Sequence, residues 1–176
     1  DTGGVKTVAV AHKIDLVFKN AVELALTPPG NGKFYVAGEK PVVTIGIKDA
    51  KTGAVIDPNT IVEPKDAQKV AANEWRRVNL FVSGPRDRTM PVLSTAALKP
   101  DPAHSYANND LRVLQDPQKA DPRISRTATS IVYQLDDVKG LEPGTYTAFV
   151  EIVPATPLGG WQFVNFQVGT ETVDKT

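Results

Sequence analysis

The sequence predicts an all-β fold, an antiparallel two-sheet β-sandwich of the Ig-like or fibronectin-III-like kind. Five runs of the 176-residue chain alternate apolar and polar residues with a period of two, the pattern of a strand that buries one face. Turn sequences rich in glycine separate several of these runs. Short strands with such regular punctuation are typical of a sandwich. The runs are residues 42–47, 77–82, 129–135, 145–152 and 163–168.

Two further segments precede these runs, and one interrupts them. Residues 5–10 and 14–26 are predicted to be extended, although the alanine, glutamate and leucine content of the second leaves a helical alternative open. Residues 64–75 are predicted to form one short helix, because an early proline is followed by apolar residues at helical spacing.

A polar, proline-rich segment at about residues 94–126 is predicted to be a long insertion loop. Its length exceeds that of an ordinary hairpin connection, and loops of this length are usually functional or disordered. It contains a short apolar island, residues 111–114, which we expect to dock back on the body as an edge strand or a lid.

The bulk composition limits the class of protein. The length fits a single domain over residues 1–176. Twenty basic and twenty acidic residues leave no net charge, so no nucleic-acid partner is expected. No apolar run approaches the roughly 20 residues of a membrane-spanning helix, so no membrane span is expected.

The chain contains no cysteine, which excludes disulfides, thiolate nucleophiles and covalently attached haem c within this sequence. It begins at Asp1 rather than Met, which fits a mature exported protein after removal of its signal sequence, or equally a recombinant fragment. An extracellular, cell-surface or periplasmic location is therefore expected.

The residues needed for catalysis are scarce. The two histidines, His12 and His104, accompany neither a nucleophile elbow nor a metal-ligand spacing. The adjacent Asp136 and Asp137 are predicted to serve a turn rather than to form an acid–base pair. We therefore predict that the chain is not an enzyme, and a hydrolase on a sandwich scaffold is the least favoured hypothesis.

Two sets of residues are candidates for partner binding. Arg86 and Arg88, with Arg76 and Arg77, are predicted to form a basic patch for an anionic partner, with solvated strand-edge charges as the alternative. Aromatic side chains could form a flat platform for sugars, and the candidates are Trp161, Tyr106 and Tyr35. The alternative for Trp161 is a place in the core, because it heads the last strand.

Tyr146 closes the pattern Leu141-x-x-Gly144-x-Tyr146 at the start of a predicted strand. This pattern resembles the tyrosine corner of Ig-like sandwiches, in which the hydroxyl ties a loop to the strand. We expect a structural role for Tyr146.

Five local strings, taken together, resemble the non-haem β-sandwich domain at the front of extracellular multihaem c-type cytochromes of metal-reducing and related bacteria. In those cytochromes the closing strand is followed by haem-binding Cys-x-x-Cys-His motifs, and this sequence departs from the pattern by having none. The strings are FYVAGEKPVV at 34–43, KDAKTG at 48–53, LFVSGPR at 80–86, LEPGTY at 141–146 and FQVGT at 166–170.

The resemblance implies a non-catalytic exported domain or subunit that packs against and positions a multihaem c-type cytochrome in extracellular electron transfer. The haem c would belong to a partner chain or an adjoining domain. If the partner is a separate chain, His12 or His104 could supply an axial ligand to its haem. The alternative hypothesis is a carbohydrate-binding or adhesive cell-surface module, based on Trp161 and Tyr106. Unpaired edge strands would also permit a homo-oligomer.

Overall fold

The computed structural model describes residues 18–66, 68–86, 109–155 and 159–173. Within them, eight strands form two four-stranded antiparallel sheets, ordered β1-β2-β6-β5 and β4-β3-β7-β8. The predicted all-β, two-sheet architecture is confirmed. The strands are β1 (Asn20–Leu26), β2 (Val42–Asp49), β3 (Arg77–Ser83), β4 (Asn109–Asp110), β5 (Ile124–Arg126), β6 (Ile131–Gln134), β7 (Gly144–Val153) and β8 (Gly160–Val168).

The core lies between the two sheets and follows the alternation of the sequence. Successive side chains of a strand point to opposite faces, so every second residue of a strand enters the core. In β2 these residues include Ile45 and Ile47, and in β7 they include Val150 and Ile152, all of them at most 1% exposed. Full burial of such a side chain contributes about 1.5–3 kcal/mol each, which makes this apolar layer the main stabilising contact of the sandwich.

The loop-to-strand hydrogen bond predicted for Tyr146 is present. Its hydroxyl donates a hydrogen bond to the backbone carbonyl of Glu142 at 2.8 Å, and the side chain is fully buried. Gly84 packs against the same ring with φ +155°, and a Cβ at that position would lie 2.4 Å from Tyr146 Cδ1. Only glycine allows this close approach of the chain after β3 to the core.

The helix predicted over residues 64–75 is wrong, because its described residues form turns. Two backbone hydrogen bonds tie the end of the segment to Val62, which precedes it: Val62 N–H donates to Asn73 O at 3.1 Å, and Trp75 N–H donates to Val62 O at 2.9 Å. These bonds close a loop that places Trp75 in the core at 4% exposed. Long-range pairing and burial of the indole therefore outweigh the local helical pattern.

The prediction of one long loop at about 94–126 is wrong for its second half, while residues 94–108 lie outside the described residues. From residue 109 onward the segment contains β4 and β5 and packs on the body. Leu111 is 1% exposed, and its N–H donates to Val78 O at 2.7 Å. Val113 N–H donates to Ile61 O at 2.9 Å. The predicted docking of the apolar island is thus confirmed, because burial of Leu111 recruits this segment to the core.

Candidate functional site

The most unusual surface of the molecule is a group of four aromatic side chains on the outer face of the β4-β3-β7-β8 sheet. We call it the aromatic strip, and it consists of Phe81, Phe149, Trp161 and Phe163. Trp161 is 52% exposed and Phe163 is 47% exposed. Phe81 and Phe149 are half-buried. A sheet face that keeps neighbouring aromatic side chains in contact with water calls for an explanation.

Strand register brings these four residues together from three strands. Phe81 pairs with Phe149 across β3 and β7, and Phe149 pairs with Phe163 across β7 and β8. The three phenylalanines therefore form one row, because directly paired residues share a face of the sheet. Trp161 lies two residues from Phe163 on β8 and so extends the same face.

The four rings contact one another in sequence along the strip. The ring centroids are 5.9 Å apart for Phe81 and Phe149, and 6.2 Å apart for Phe149 and Trp161. Trp161 and Phe163 are also 6.2 Å apart, with only 12° between their planes. These separations lie in the range of favourable aromatic pairs, so the strip is a packed surface rather than four independent side chains.

Polar side chains border the strip and are paired with one another. Arg77 and Glu151 form an ion pair at 3.8 Å, in which Glu151 is the direct cross-strand partner of Trp161 and Arg77 lies one row beyond it. On the other side of the phenylalanine row, the Thr147 hydroxyl donates to Asn165 Oδ1 at 2.8 Å. The strip thus has an apolar centre and a polar, formally neutral border.

An open cleft of about 430 Å³ lies next to the strip at the end of β8. Asn165 belongs both to the border of the strip and to the wall of the cleft, so the two surfaces are continuous. The Tyr35 hydroxyl lines the cleft and donates to the Thr27 carbonyl. Burial raises the pKa of Tyr35, the hydrogen bond to Thr27 opposes that rise, and nearby Glu39 adds to it, so this hydroxyl is a donor at neutral pH.

Trp161 is on the surface, and its predicted alternative place in the core is wrong. The inward position at the start of β8 belongs to Gly160, where a Cβ would lie 2.6 Å from the carbonyl oxygen of Asn20. Because side chains alternate, the next residue must point outward. The prediction that Trp161 belongs to a binding surface remains a proposal.

The predicted basic patch does not form as one surface among its described members. Arg76 and Arg77 lie at the beginning of β3, whereas Arg86 follows the end of that strand and is half-buried. A seven-residue strand separates its ends by about 20 Å. Only Arg77, which the ion pair to Glu151 links to the border of the strip, lies near the aromatic residues.

Four of the predicted site residues lie outside the described residues, namely His12, Arg88, His104 and Tyr106. Their predicted roles as haem ligands or partner contacts therefore stay predictions. Three members of the strip were missed: Phe81, Phe149 and Phe163. The available signal was their phase, because each stands in a predicted strand at the position opposite to the buried apolar residues.

The charged groups around β6 and the segment that follows it serve the fold. The Tyr133 hydroxyl donates to Asp121 at 2.7 Å, and Arg123 bridges Asp121 and Asp136. Burial and then the hydrogen bond to Asp121 raise the pKa of Tyr133. Asp137 instead accepts the backbone N–H groups of Gly38 and Lys139, each at 2.8 Å. The two adjacent aspartates therefore have separate structural partners, as their predicted turn role implies.

Metal-ion and membrane sites were sought in the same part of the chain. Within residues 18–66, 68–86, 109–155 and 159–173, no group of three or more histidine, cysteine, aspartate or glutamate side chains is arranged to hold a metal ion. None of the helical segments described there could cross a membrane.

No protein-family model matches the chain, and no curated protein matches it either. The fold places the chain in the class of all-β sandwiches, and the feature that distinguishes it within that class is its aromatic outer face.

Proposed function

We propose that the chain is a non-catalytic, exported binding module that packs against a multihaem c-type cytochrome through the aromatic strip. The observation that carries the proposal is the exposure of Trp161 and Phe163 at the end of a four-ring aromatic surface. Exposed contiguous apolar surface marks interaction sites, and tryptophan is among the residues that contribute most to binding energy.

The chemistry of the strip favours a protein partner. Three of its four rings belong to phenylalanine, which offers apolar area and no hydrogen-bonding group. The nearest polar side chains are already paired, Thr147 with Asn165 and Arg77 with Glu151. Covering such a surface with another apolar protein face leaves few polar groups without partners, which keeps the cost of burial low.

The topology supports an Ig-like classification, which underlies the resemblance to cytochrome-associated sandwiches. In the Ig arrangement, strands A, B, E and D face strands C, F and G. The order β1-β2-β6-β5 against β3-β7-β8 follows the same scheme along the chain. Tyr146 then lies near the start of the strand equivalent to F, where the tyrosine corner belongs. The cytochrome itself, and an extracellular or periplasmic location, come from the sequence resemblance.

The proposal is tested with a purified cell-surface multihaem c-type cytochrome as the probe in biolayer interferometry. The double variant Trp161→Ser/Phe163→Ser removes the exposed part of the strip. Because hot-spot side chains contribute about 2 kcal/mol or more, we expect binding at least about 30-fold weaker than that of the parent chain.

The matched control carries Glu23→Ser and Lys48→Ser, which remove an exposed ion pair from the outer face of the other sheet. We expect this control to bind like the parent. Equal weakening by both double variants, or no binding by the parent chain, would contradict the proposal.

A second candidate is carbohydrate binding, which the exposed Trp161 specifically favours. Its ring and that of Phe163 are within 12° of parallel, and together they offer a flat surface on which a sugar ring could stack. Titration with soluble oligosaccharides should then change the fluorescence of Trp161. An unchanged spectrum across a glycan panel rejects this candidate.

A further inference from the structure

β8 is an edge strand of nine residues. In the sheet order β4-β3-β7-β8 it pairs with β7 on one side, and no strand of the described residues forms a ladder with its other side. An edge strand presents backbone N–H and C=O groups without ladder partners, and these can accept another strand.

The hydrogen bonds of β8 reveal which groups face the open edge. Phe163 N–H bonds the side chain of its own neighbour, Gln162 Oε1, at 3.0 Å, and the carbonyl of Gln167 accepts from Tyr35 N–H at 2.9 Å. Neither group bonds β7. Because the bonding direction alternates along an antiparallel strand, every second residue from Trp161 to Gln167 presents its backbone to the edge.

Part of this edge is already occupied. Tyr35 covers the end of β8, since its carbonyl also accepts from Gly169 N–H at 2.9 Å. At the beginning of β8, a Cβ on Gly160 would lie 2.6 Å from the carbonyl oxygen of Asn20 on β1, so the chain is crowded there. Among the described residues, no strand forms a ladder with the stretch between these points, residues 161–166, although β1 of the other sheet lies close to β8.

β8 lacks the features that usually protect an edge. Its nine residues, GWQFVNFQV, include no charge and no proline. The other edge strands of the described residues differ: β4 has two residues, with Asp110 paired to Arg112, and β5 has three residues and ends in Arg126. β1 contributes Glu23 to an ion pair with Lys48 of β2. Long, uncharged edges of this kind favour strand pairing.

We infer that β8 pairs antiparallel with β8 of a second copy, so that the two sheets become one continuous sheet across a twofold axis. A twofold interface must be self-complementary, and an uncharged strand meets no like-charge repulsion against itself. With Phe163 opposite Phe163, Trp161 of each copy faces Asn165 of the other. The two aromatic strips then form one band, and the inference goes beyond the proposed binding of a cytochrome.

Sedimentation analysis and hydrogen exchange of the full chain test this interface. Between micromolar and millimolar concentration, we expect reversible formation of a dimer. The amides of residues 161, 163 and 165 should gain protection as dimer forms, whereas those of residues 162, 164 and 166, which face β7, should be protected at every concentration.

A proline at position 165 separates edge pairing from other modes of association. Asn165→Pro removes an edge-facing N–H while leaving the ladder to β7 intact, and Asn165→Ala is the control that loses the side chain alone. We expect the proline variant to dimerise at least about tenfold more weakly than the alanine variant, because both lose the same side-chain contacts and only the proline variant loses the N–H. Thermal unfolding verifies that both variants fold.

Two results would overturn the inference. One is a monomer over the whole concentration range. The other is a dimer whose edge amides stay unprotected or that Asn165→Pro does not weaken, because such a dimer would associate through the aromatic strip instead. Cytochrome binding by the monomeric proline variant is measured in parallel, so failure of the dimer and failure of the proposed function give different results.

Discussion

The outer faces of the two sheets are built on the same alternation but from different residues. On the β1-β2-β6-β5 sheet, the outward positions near the centre include Thr44 and Gly46, beside the ion pair of Glu23 and Lys48 at 2.5 Å. On the β4-β3-β7-β8 sheet, the corresponding central positions carry the aromatic strip. One face is suited to water, and the other keeps large apolar side chains exposed.

This difference shows which half of the pattern carries information about function. The inward residues of both sheets are apolar because any sandwich needs a core. The outward residues are free to vary, and a polar choice is the default in water. Within the eight described strands, outward aromatic residues occur on one exterior only, which supports the partner proposed for that exterior, and the opposite face serves as the internal reference.

The largest expected difference between the two faces is in stability, and it is tested by substituting one central residue on each face. Phe149→Ser removes a half-buried ring that contacts Phe81 and Trp161, and we expect the free energy of unfolding to fall by about 1–2 kcal/mol. Thr44→Ser on the other face should change it by less than about 0.5 kcal/mol. Urea denaturation measures both, and equal losses would mean that the rings do not form a packed surface.

A smaller effect should appear in acid. The pKa of Asp49 is lowered, chiefly by the backbone N–H of Thr52 that donates to its carboxylate. The pKa of Asp137 is also lowered, chiefly by the backbone N–H of Gly38. A lowered folded-state pKa stabilises the fold above the ordinary aspartate pKa of about 4, and this stabilisation is lost as the pH falls through the folded value.

Both carboxylates lie where strands of the β1-β2-β6-β5 sheet end, so that sheet should lose protection from hydrogen exchange first on acidification. The double variant Asp49→Asn/Asp137→Asn should show a shallower loss of stability below about pH 4 than the parent chain. If the double variant loses stability below about pH 4 as steeply as the parent chain, these hydrogen bonds do not contribute to stability.

The smallest perturbation is spectroscopic, because the two tryptophans lie in opposite environments. Trp75 is 4% exposed and Trp161 is 52% exposed. Trp161→Phe should leave blue-shifted emission that acrylamide quenches weakly, and Trp75→Phe should leave red-shifted emission that it quenches strongly. Similar quenching of the two variants would place Trp161 in a covered position and remove the basis of the strip.

Much of the fold could be predicted from the sequence because it depends on local regularities. Alternation with a period of two indicated the strands that became β2, β3, β6, β7 and β8. The turn after β2 was also readable, since Asp49 Oδ1 accepts the N–H groups of Lys51 and Thr52, and Gly53 adopts φ +73°. Both features act over a few residues, so neighbouring sequence suffices to indicate them.

The candidate site could be predicted only in part. Trp161 was recognised as a possible contact residue, but the phenylalanines of the strip come from strands far apart in the sequence. Phe81 pairs with Phe149 across 68 residues, and only the register of β3 against β7 makes them neighbours. The helix expected near Trp75 failed for the same reason, since a bond to Val62 lies outside its local pattern.

By itself, the sequence determined that the chain forms two layers of alternating strands and where several turns fall, because steric alternation and turn chemistry are local. Tertiary structure decided which exterior became aromatic and which long edge has no paired strand among the described residues. Trp161 points outward because Gly160 fills the crowded inward position against Asn20. Strand register and close backbone contact are properties of distant segments in space, and no window of neighbouring residues contains them.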